Sequence, residues 1–299
     1  TSLLPNDFIA ETSGSYFNLH GIADSPEWFG QKDPLESPNA VDYPIALTTD
    51  DIPNSGSAPK IVFSEACYGA HVIGKTVDNA LSLKFLNSGT KAFVGSSCVA
   101  YGSVTTPLIA ADLLGKYFWQ LMQDGNAAGE ALKRAKIHMA KEMHKRQGYL
   151  DGEDQKTLIS FNLYGDPLTT MVRRQKASAK SINRTADIND KWSPVCYISD
   201  HIEGMESTPI PEDVIYQVKT IVHEYLPGMK GSNMQFTEFF EEVRDHKLEE
   251  KNVMVDHNEP NNQVVVLSKA IETNRRTHKS FARITLDERG EVSKIAVSR

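Results

Sequence analysis

The chain has 299 residues, of which 40% are hydrophobic and 24% are charged, a composition typical of a globular protein and not of a disordered one. Its 32 Lys and Arg residues against 39 Asp and Glu residues give a net charge of −7, which argues against a protein that binds nucleic acid through clustered cations. Three cysteines are too few for a disulfide framework. The length suggests about two domains.

The sequence offers no membrane span. The longest stretch without a charge, residues 92–111, contains several hydroxyl side chains and Pro107, which hydrocarbon would disfavour. No basic segment followed by an apolar run opens the chain, so no signal peptide is recognised. Because residue 1 is Thr and not Met, the numbering is expected to begin inside a longer product, and the sequence indicates no compartment.

The first half of the chain alternates short apolar runs with longer amphipathic ones. Buried strands are predicted over residues 15–19, 60–64, 91–95 and 158–164. Apolar residues at helical spacing predict three helices: one through Ile73 and Phe85, one opened by Pro107, and one over residues 128–143. Strands that alternate with helices in this way predict an α/β fold, with a largely parallel sheet flanked by helices.

The second half follows a different pattern. Residues 175–190 are polar and aperiodic and are predicted to be a linker. Beyond them, helical stripes are predicted over residues 214–225 and through Phe236, Phe239, Phe240 and Val243, followed by three antiparallel strands over residues 263–267, 281–286 and 292–297. The chain is therefore predicted to divide into a first domain over residues 1–174, a linker over 175–199 and a small α+β domain over 200–299.

Two reactive side chains stand at the ends of predicted strands. His20 and Gly21 follow the strand over residues 15–19, and Cys67 follows the strand over residues 60–64. In a parallel sheet the carboxyl ends of neighbouring strands open into the same crevice. If these two strands are neighbours, His20 and Cys67 are expected to meet there.

This pair of side chains suits acyl transfer. A thiolate is strongly nucleophilic, and an imidazole beside it can lower the thiol pKa or protonate a leaving amine. Gly21 lets the backbone approach closely, and its N–H together with that of Cys67 can bind a developing oxyanion. Taken singly, a strand-end Cys is usually a small buried residue and a lone His is usually solvated or hydrogen-bonded. The two motifs together, 67 − 20 = 47 positions apart, favour catalysis.

The same residues carry a family resemblance. The pair His20-Gly21, followed by the segment Glu65-Ala66-Cys67, resembles the caspase-like cysteine peptidases, a clan that also holds legumain, clostripain, separase and the gingipains. The resemblance implies a caspase-like sheet, with His20 as catalytic histidine, Cys67 as nucleophile, and Gly21 and Cys67 as oxyanion donors. It also implies an endopeptidase of peptide or protein substrates, and the acyl-enzyme route needs no metal or organic cofactor.

Two further features are most similar to the gingipain-type branch: Trp28 soon after the His-Gly pair, and the closing strand with its Gly-Asp-Pro turn over residues 161–167. The resemblance covers about residues 17–170. Leu19 departs from the pattern, because gingipains have Gly before their His-Gly. Gingipains also carry immunoglobulin-like material after the catalytic unit, and the caspase-like fold has further strands before the histidine strand, which are expected elsewhere in the product or in a differently built sheet.

Glu65 is a candidate for substrate specificity. Side chains alternate along a strand, so Glu65 and Cys67 point to the same side, and a carboxylate there would lie near the pocket for the residue before the scissile bond, P1. In clostripain-like relatives an acidic residue at this position goes with Arg or Lys at P1, whereas legumain combines a Glu with asparagine specificity. The alternative without a substrate role is a strand-end carboxylate bonded to local backbone. We expect basic P1 residues.

Ser96, Ser97 and Cys98 end the strand that follows Cys67 and resemble the segment that pairs with substrate backbone in this clan. Cys98 is expected to be structural and not catalytic, because it lacks a His-Gly partner of its own. We expect these three residues to bind substrate.

Basic residues also suggest self-cleavage. Under the basic-P1 hypothesis, the candidates are Arg299 and five cations in and beside the linker, Arg173, Arg174, Lys176, Lys180 and Arg184. The alternative is that these basic side chains are simply solvated. No His or Cys pair has metal-ligand spacing, so no metal site is predicted.

Two other functions remain open at this stage. One is a catalytically incomplete caspase-like domain that serves as a peptide-binding or scaffold module. The other is a peptidase of legumain-like Asn specificity, or another amide hydrolase or ligase that uses the same dyad. Self-association and the role of residues 200–299 also remain open.

Overall fold

A computed structural model describes residues 13–33, 35–37, 39–54, 56–171, 196–198, 209–238, 240–241, 262–273 and 276–299. The predicted linker over residues 175–190 lies outside the described residues. The strands are β1 Ser15–Phe17, β2 His20–Gly21, β3 Trp28–Phe29, β4 Ile45–Leu47, β5 Ile61–Ser64, β6 Ala92–Ser96, β7 Tyr101–Ser103, β8 Phe161–Gly165, β9 Tyr197–Ile198, β10 Asn233–Glu238, β11 Phe240–Glu241, β12 Gln263–Thr273, β13 Arg276–Leu286 and β14 Val292–Ser298. The helices are α1 Leu81–Asn87, α2 Ala110–Gln123, α3 Ala128–Gln147, α4 Gly152–Ser160 and α5 Glu212–Tyr225.

The central sheet has the order β1-β5-β6-β8. Its first three strands are parallel, and β8 is antiparallel to β6. Residues 61–64 are fully buried because helices cover both faces of the sheet. Helices α2, α3 and α4 lie over Phe63 on one face, and α1 packs with Phe17 and Phe93 on the other. The α/β fold predicted from the sequence is confirmed.

A second sheet lies beside the first and is antiparallel throughout, with the order β10-β12-β13-β14-β7. Helix α5 packs on it through Val218 and Ile221, which contact Val265 and Ile284. Its edge strand β7 comes from the first half of the chain, directly after the central strand β6. Main-chain hydrogen bonds between β14 and β7 therefore join the C-terminal unit, helix α5 with strands β10, β12, β13 and β14, to the first half of the chain.

Buried charges hold the second sheet to the first. The ammonium group of Lys294, on β14, lies 2.6 Å from an Asp151 carboxylate oxygen and 3.2 Å from one of Asp154. Arg283, on β13, pairs with Glu153. The three acidic residues stand at the N-terminus of α4, where the helix dipole favours negative charge. All five side chains are nearly inaccessible to solvent, and we call them the ionic cluster.

The structure corrects the predicted helix through Ile73 and Phe85, which begins only at Leu81. Gly74 has φ +69°, and the Asn79 side chain accepts a 2.6 Å hydrogen bond from the Thr76 N–H, so the chain turns here. Ile73, which was expected to face the core, is 85% exposed.

Two other boundaries were wrong. Helix α2 begins at Ala110, three residues after Pro107, which lies in the preceding loop. Residues 158–160, predicted as the start of a strand, form the last turn of α4. That helix is started by Asp151, whose side chain accepts a hydrogen bond from the Asp154 N–H, an N-cap that the sequence analysis did not use.

The predicted helical stripe from Phe236 to Val243 was also wrong where the structure describes it. Residues 233–238 form β10, with Phe236 buried opposite Val265 of β12. Met234 packs inward with Phe236 while Asn233 and Gln235 face solvent, so the pattern has the period of two that a strand requires. Phe239 and Val243 lie outside the described residues.

Candidate active site

The site is built where β1 and β5 end. These strands are parallel neighbours, with Phe17 opposite Ser64, so the segments that follow them leave the sheet at the same edge. His20 and Gly21 come from the first segment and Cys67 from the second. The sequence prediction that both motifs lie at the ends of adjacent strands agrees with this topology.

Gly21 lies directly against the backbone of Cys67. A Cβ atom added at Gly21 would stand 2.0 Å from the carbonyl oxygen of Cys67, so only glycine fits there. The pair His20-Gly21 forms strand β2, which is held in place by pairing with Trp28 and Phe29 of β3. This packing fixes the histidine backbone beside the Cys67 backbone.

The His20 ring is half-buried and contacts Tyr43 edge-on, with 5.1 Å between ring centroids. Burial, with the nearby charge of Arg299, lowers its pKa to about 4. The imidazole is therefore neutral at neutral pH and has a ring nitrogen able to accept a proton.

Cys67 is buried, and its Sγ is directed at the backbone of Ala100. The sulfur lies 3.5 Å from the Ala100 carbonyl oxygen and accepts a hydrogen bond from the Ala100 N–H at 3.2 Å. Burial raises the pKa of the thiol to about 12. The next residue, Tyr68, has φ +56°, so the backbone turns sharply at this point, in a conformation that non-glycine residues rarely adopt.

Strand β14 of the second sheet leads into this site, and Arg299 follows its last residue. Residues 296–298 pair antiparallel with Tyr101–Ser103 of β7. Beyond them, the Arg299 N–H donates to the Ala100 carbonyl at 3.0 Å, and the Cys67 N–H donates to the Arg299 carbonyl oxygen at 3.1 Å. An extended segment of the chain thus lies along β7 and places a carbonyl group on the backbone N–H of Cys67.

The Arg299 side chain enters a pocket with two carboxylates. Its Nη2 lies 2.9 Å from an Asp112 oxygen and donates to the Ser103 carbonyl at 2.8 Å. Its Nε stands 3.7 Å from Glu65 Oε2, and both of these buried atoms lack a hydrogen-bond partner among the described residues. The guanidinium therefore lies between two carboxyl groups, with its direct ion pair to Asp112.

Glu65 forms the floor of this pocket. Its carboxylate is fully buried and accepts a hydrogen bond from the Tyr16 hydroxyl through its other oxygen. Burial, with the charge of Asp112, raises the pKa of Glu65 to about 8, although Tyr16 and Arg299 oppose the shift. The Glu65 N–H donates to the Phe17 carbonyl at 2.9 Å, which is a bond of the backbone and not of the carboxylate that the alternative reading invoked.

A comparison with known protein families found one match that includes part of this site. Residues 36–172 match a family model described as Peptidase family C25. The match supports a gingipain-type cysteine peptidase over this part of the chain. Searches of curated proteins and of solved structures found no match. The matched segment contains Glu65, Cys67 and Asp112 and begins after His20.

The match indicates a cysteine-type peptidase, a hydrolase of the caspase-like clan, and a peptidase implies a protein substrate. The caspase-like resemblance of the sequence is thereby confirmed. Among the helices that the structure describes, none combines the length and apolar character needed to cross a membrane. No group of three or more His, Cys, Asp or Glu side chains is placed to hold a metal ion within the described residues.

Of the predicted substrate-binding residues, Ser96 ends strand β6, and Ser97 and Cys98 follow it in the loop before β7. The Ser96 hydroxyl donates to the Cys98 carbonyl at 2.9 Å, and the Ser97 hydroxyl donates to the Ser160 carbonyl at 3.2 Å. The Cys98 carbonyl in turn accepts from the Tyr68 N–H at 2.9 Å, beside Cys67. The strand that pairs with β14 lies slightly further along the chain, at Tyr101–Ser103.

Two residues of the peptidase pocket escaped the sequence analysis, Asp112 and Ala100. Asp112 stands in the first turn of α2, 112 − 67 = 45 positions after Cys67, and only the fold brings it to the pocket. Ala100 contributes backbone groups alone, for which the sequence carries no signal. A cavity of about 190 Å³ lies between His20 on one side and Arg299 on the other, so both line the same space.

Proposed function

We propose that this peptidase is an endopeptidase that cleaves after arginine with a His20–Cys67 dyad, and that it processes its own chain after Arg299. The observation that carries the proposal is the position of Arg299, whose carbonyl oxygen accepts from the Cys67 N–H while its side chain contacts Asp112. This is how a P1 residue sits in a cysteine peptidase: carbonyl on the oxyanion donor, side chain in the specificity pocket.

The reaction follows from these groups. His20 takes the thiol proton as the Cys67 sulfur attacks the scissile carbonyl carbon, forming a C–S bond. The developing oxyanion is stabilised by the N–H of Cys67 and by that of Gly21. The C–N bond then breaks, and the imidazolium returns its proton to the leaving amine. Water adds to the thioester, the C–S bond breaks, and an acid product leaves with the thiol restored.

The resting pair is neutral in this account. The pKa of His20 lies near 4 and that of Cys67 near 12, so at neutral pH the proton is on sulfur and the imidazole is free to accept it. Proton transfer to His20 therefore accompanies attack and does not precede it. A buried ion pair would need strong compensation in this site, because burial disfavours both charged forms.

Specificity for arginine follows from the pocket geometry. A guanidinium presents donors at Nε and at both terminal nitrogens, and the pocket has a carboxyl group near each end: Glu65 lies 3.7 Å from Nε, and Asp112 accepts from Nη2 together with the Ser103 carbonyl. A lysine ammonium is a single point charge and cannot reach both ends at once. We therefore place arginine ahead of lysine at P1.

Turnover of fluorogenic tetrapeptides with Arg, Lys, Asn or Asp at P1 tests this function. The matched enzymes are the full chain and its Cys67→Ala and His20→Ala variants. We expect cleavage after Arg, no activity in Cys67→Ala, and a loss of about 10²–10⁴-fold in His20→Ala, the range of a general acid–base group. Cleavage only after Asn or Asp would discard the pocket assignment. Activity that survives in Cys67→Ala would discard the dyad, and neither turnover nor labelling of Cys67 would favour a scaffold module.

A further inference from the structure

We propose that the C-terminal unit, helix α5 with strands β10, β12, β13 and β14, acts as a built-in inhibitor of the peptidase, with β14 and Arg299 bound in the substrate cleft as a product-like ligand. The proposal rests on the proposed function, since it takes the cleft at Cys67 to be the active one. It assigns a role to the C-terminal unit, whose role the sequence analysis left open.

The backbone contacts are those that a bound substrate would need. Residues 296–298 of β14 pair with one edge of β7. Arg299 adds two hydrogen bonds: its N–H donates to the Ala100 carbonyl, and its carbonyl accepts from the Cys67 N–H. A second peptide cannot pair with this edge of β7 while β14 occupies it. Substrate must therefore displace β14 before it can reach Cys67.

The side-chain contacts occupy the specificity pocket as well. Arg299 neutralises Asp112 and faces Glu65 across 3.7 Å, so an incoming basic residue finds its carboxylates already engaged. The occupant is also tethered to the same chain, which gives it an effective concentration in the millimolar range or above. A free substrate at micromolar concentration competes poorly with such a ligand.

Two sets of contacts fix the second sheet, and with it strand β14, to the first half of the chain. The ionic cluster binds Lys294, five residues before Arg299, to the start of α4. On the His20 side, Tyr43 stacks on His278 of β13 with 4.6 Å between ring centroids, and its hydroxyl lies 2.9 Å from the Ser280 hydroxyl. The second sheet thus contacts the peptidase on both sides of the cleft.

Arg299→Ala in the full chain tests the proposal, with Arg289→Ala, an exposed turn residue, as the matched control. We expect Arg299→Ala to raise turnover of an Arg peptide and labelling of Cys67 by an Arg chloromethyl ketone at least 10-fold over the parent chain, because charge-assisted hydrogen bonds to the strand are lost. Arg289→Ala should behave as the parent. Equal rates in all three proteins would overturn the inhibition and leave the proposed function standing.

A second measurement needs no variant. Hydrogen exchange of the parent chain is followed before and after Cys67 is alkylated by the Arg chloromethyl ketone. Displacement of β14 should raise exchange at residues 296–299 and leave β12 unchanged. Complete alkylation with unchanged exchange at 296–299 would overturn the proposal even if Arg299→Ala failed to fold. An absence of both alkylation and turnover in every protein would remove the proposed function itself.

Discussion

At the scale of single residues, Gly21 links the two motifs most directly. Its Cα lies so close to the Cys67 carbonyl that any side chain would collide with backbone. The sequence analysis singled out Gly21 as an oxyanion donor for its place after His20, and the packing gives an independent reason for glycine.

Gly21→Ala is expected to destabilise the fold by about 1–3 kcal/mol or more, the usual cost of overpacking, and to reduce activity by separating His20 from Cys67. The control is Gly30→Ala, where an added Cβ would meet only Pro44 at an ordinary 3.6 Å. Urea unfolding and peptide turnover measure both effects. If the two variants were equally stable and active, the close approach of the motifs would be wrong.

Asp112→Asn is expected to lower kcat/KM for an Arg peptide by about 10-fold or more, since a hydrogen bond to a charged group contributes roughly 1.5–3 kcal/mol. The Lys peptide should lose less, because lysine cannot use both ends of the pocket. The asparagine oxygen can still accept from the Ser103 N–H, which Asp112 also binds, so the fold is kept. Asp124→Asn, at the exposed end of the same helix, is the control. An unchanged Arg-to-Lys ratio would contradict the role of Asp112.

Glu65 makes stability depend on pH. Its pKa is about 8 in the folded protein against an ordinary 4.5, so between these values the folded state holds a proton that the unfolded state has released. Stability from this group is complete below pH 4.5 and is lost as pH rises to about 8. Glu65→Gln should therefore flatten the fall in unfolding free energy between pH 5 and 8, whereas Glu36→Gln, at an exposed site, should not. Equal slopes would show that Glu65 is not buried as described.

At the scale of elements, the sequence predicted β1, β5 and β6 well, because buried parallel strands are short apolar runs with clear ends. The prediction was wrong where the spacing of apolar residues fitted both a helix and a strand. Phe236 fits a helical stripe through three other apolar residues, yet the alternation of Met234 and Phe236 with exposed neighbours belongs to a strand. Strand β7 was missed because Tyr101–Ser103 is too short to show a pattern and exists through its pairing with β14.

Lys294→Met tests how strongly β14 is anchored. The variant leaves Asp151 and Asp154 buried without their cation, which typically costs about 3–5 kcal/mol. Lys279→Met, at an exposed position of β13, should cost little. Thermal and urea unfolding give the comparison. Near-equal stability of the two variants would show that the ionic cluster does not hold the sheets together.

At the scale of the whole molecule, one cleft is assembled from four distant parts of the chain: His20, Cys67, Asp112 and Arg299. The first two could be predicted, because each stands at a strand end in a recognisable motif. The sequence marked Arg299 as a candidate for self-cleavage. Its place in the pocket could not be predicted, because it depends on the pairing of β14 with β7. The position of Asp112 beside Arg299 likewise follows from the fold and could not be read from the sequence.

The most direct test of the account is to extend the chain by a short peptide tag after Arg299 and to measure its mass over time. We predict loss of the tag at the Arg299 bond, retention in the Cys67→Ala variant, and retention in Arg299→Glu, whose side chain would be repelled by Asp112. A tag that stays intact on the folded parent chain, or one that is lost equally from Cys67→Ala, would contradict the claim that Arg299 lies in the P1 pocket of a working peptidase.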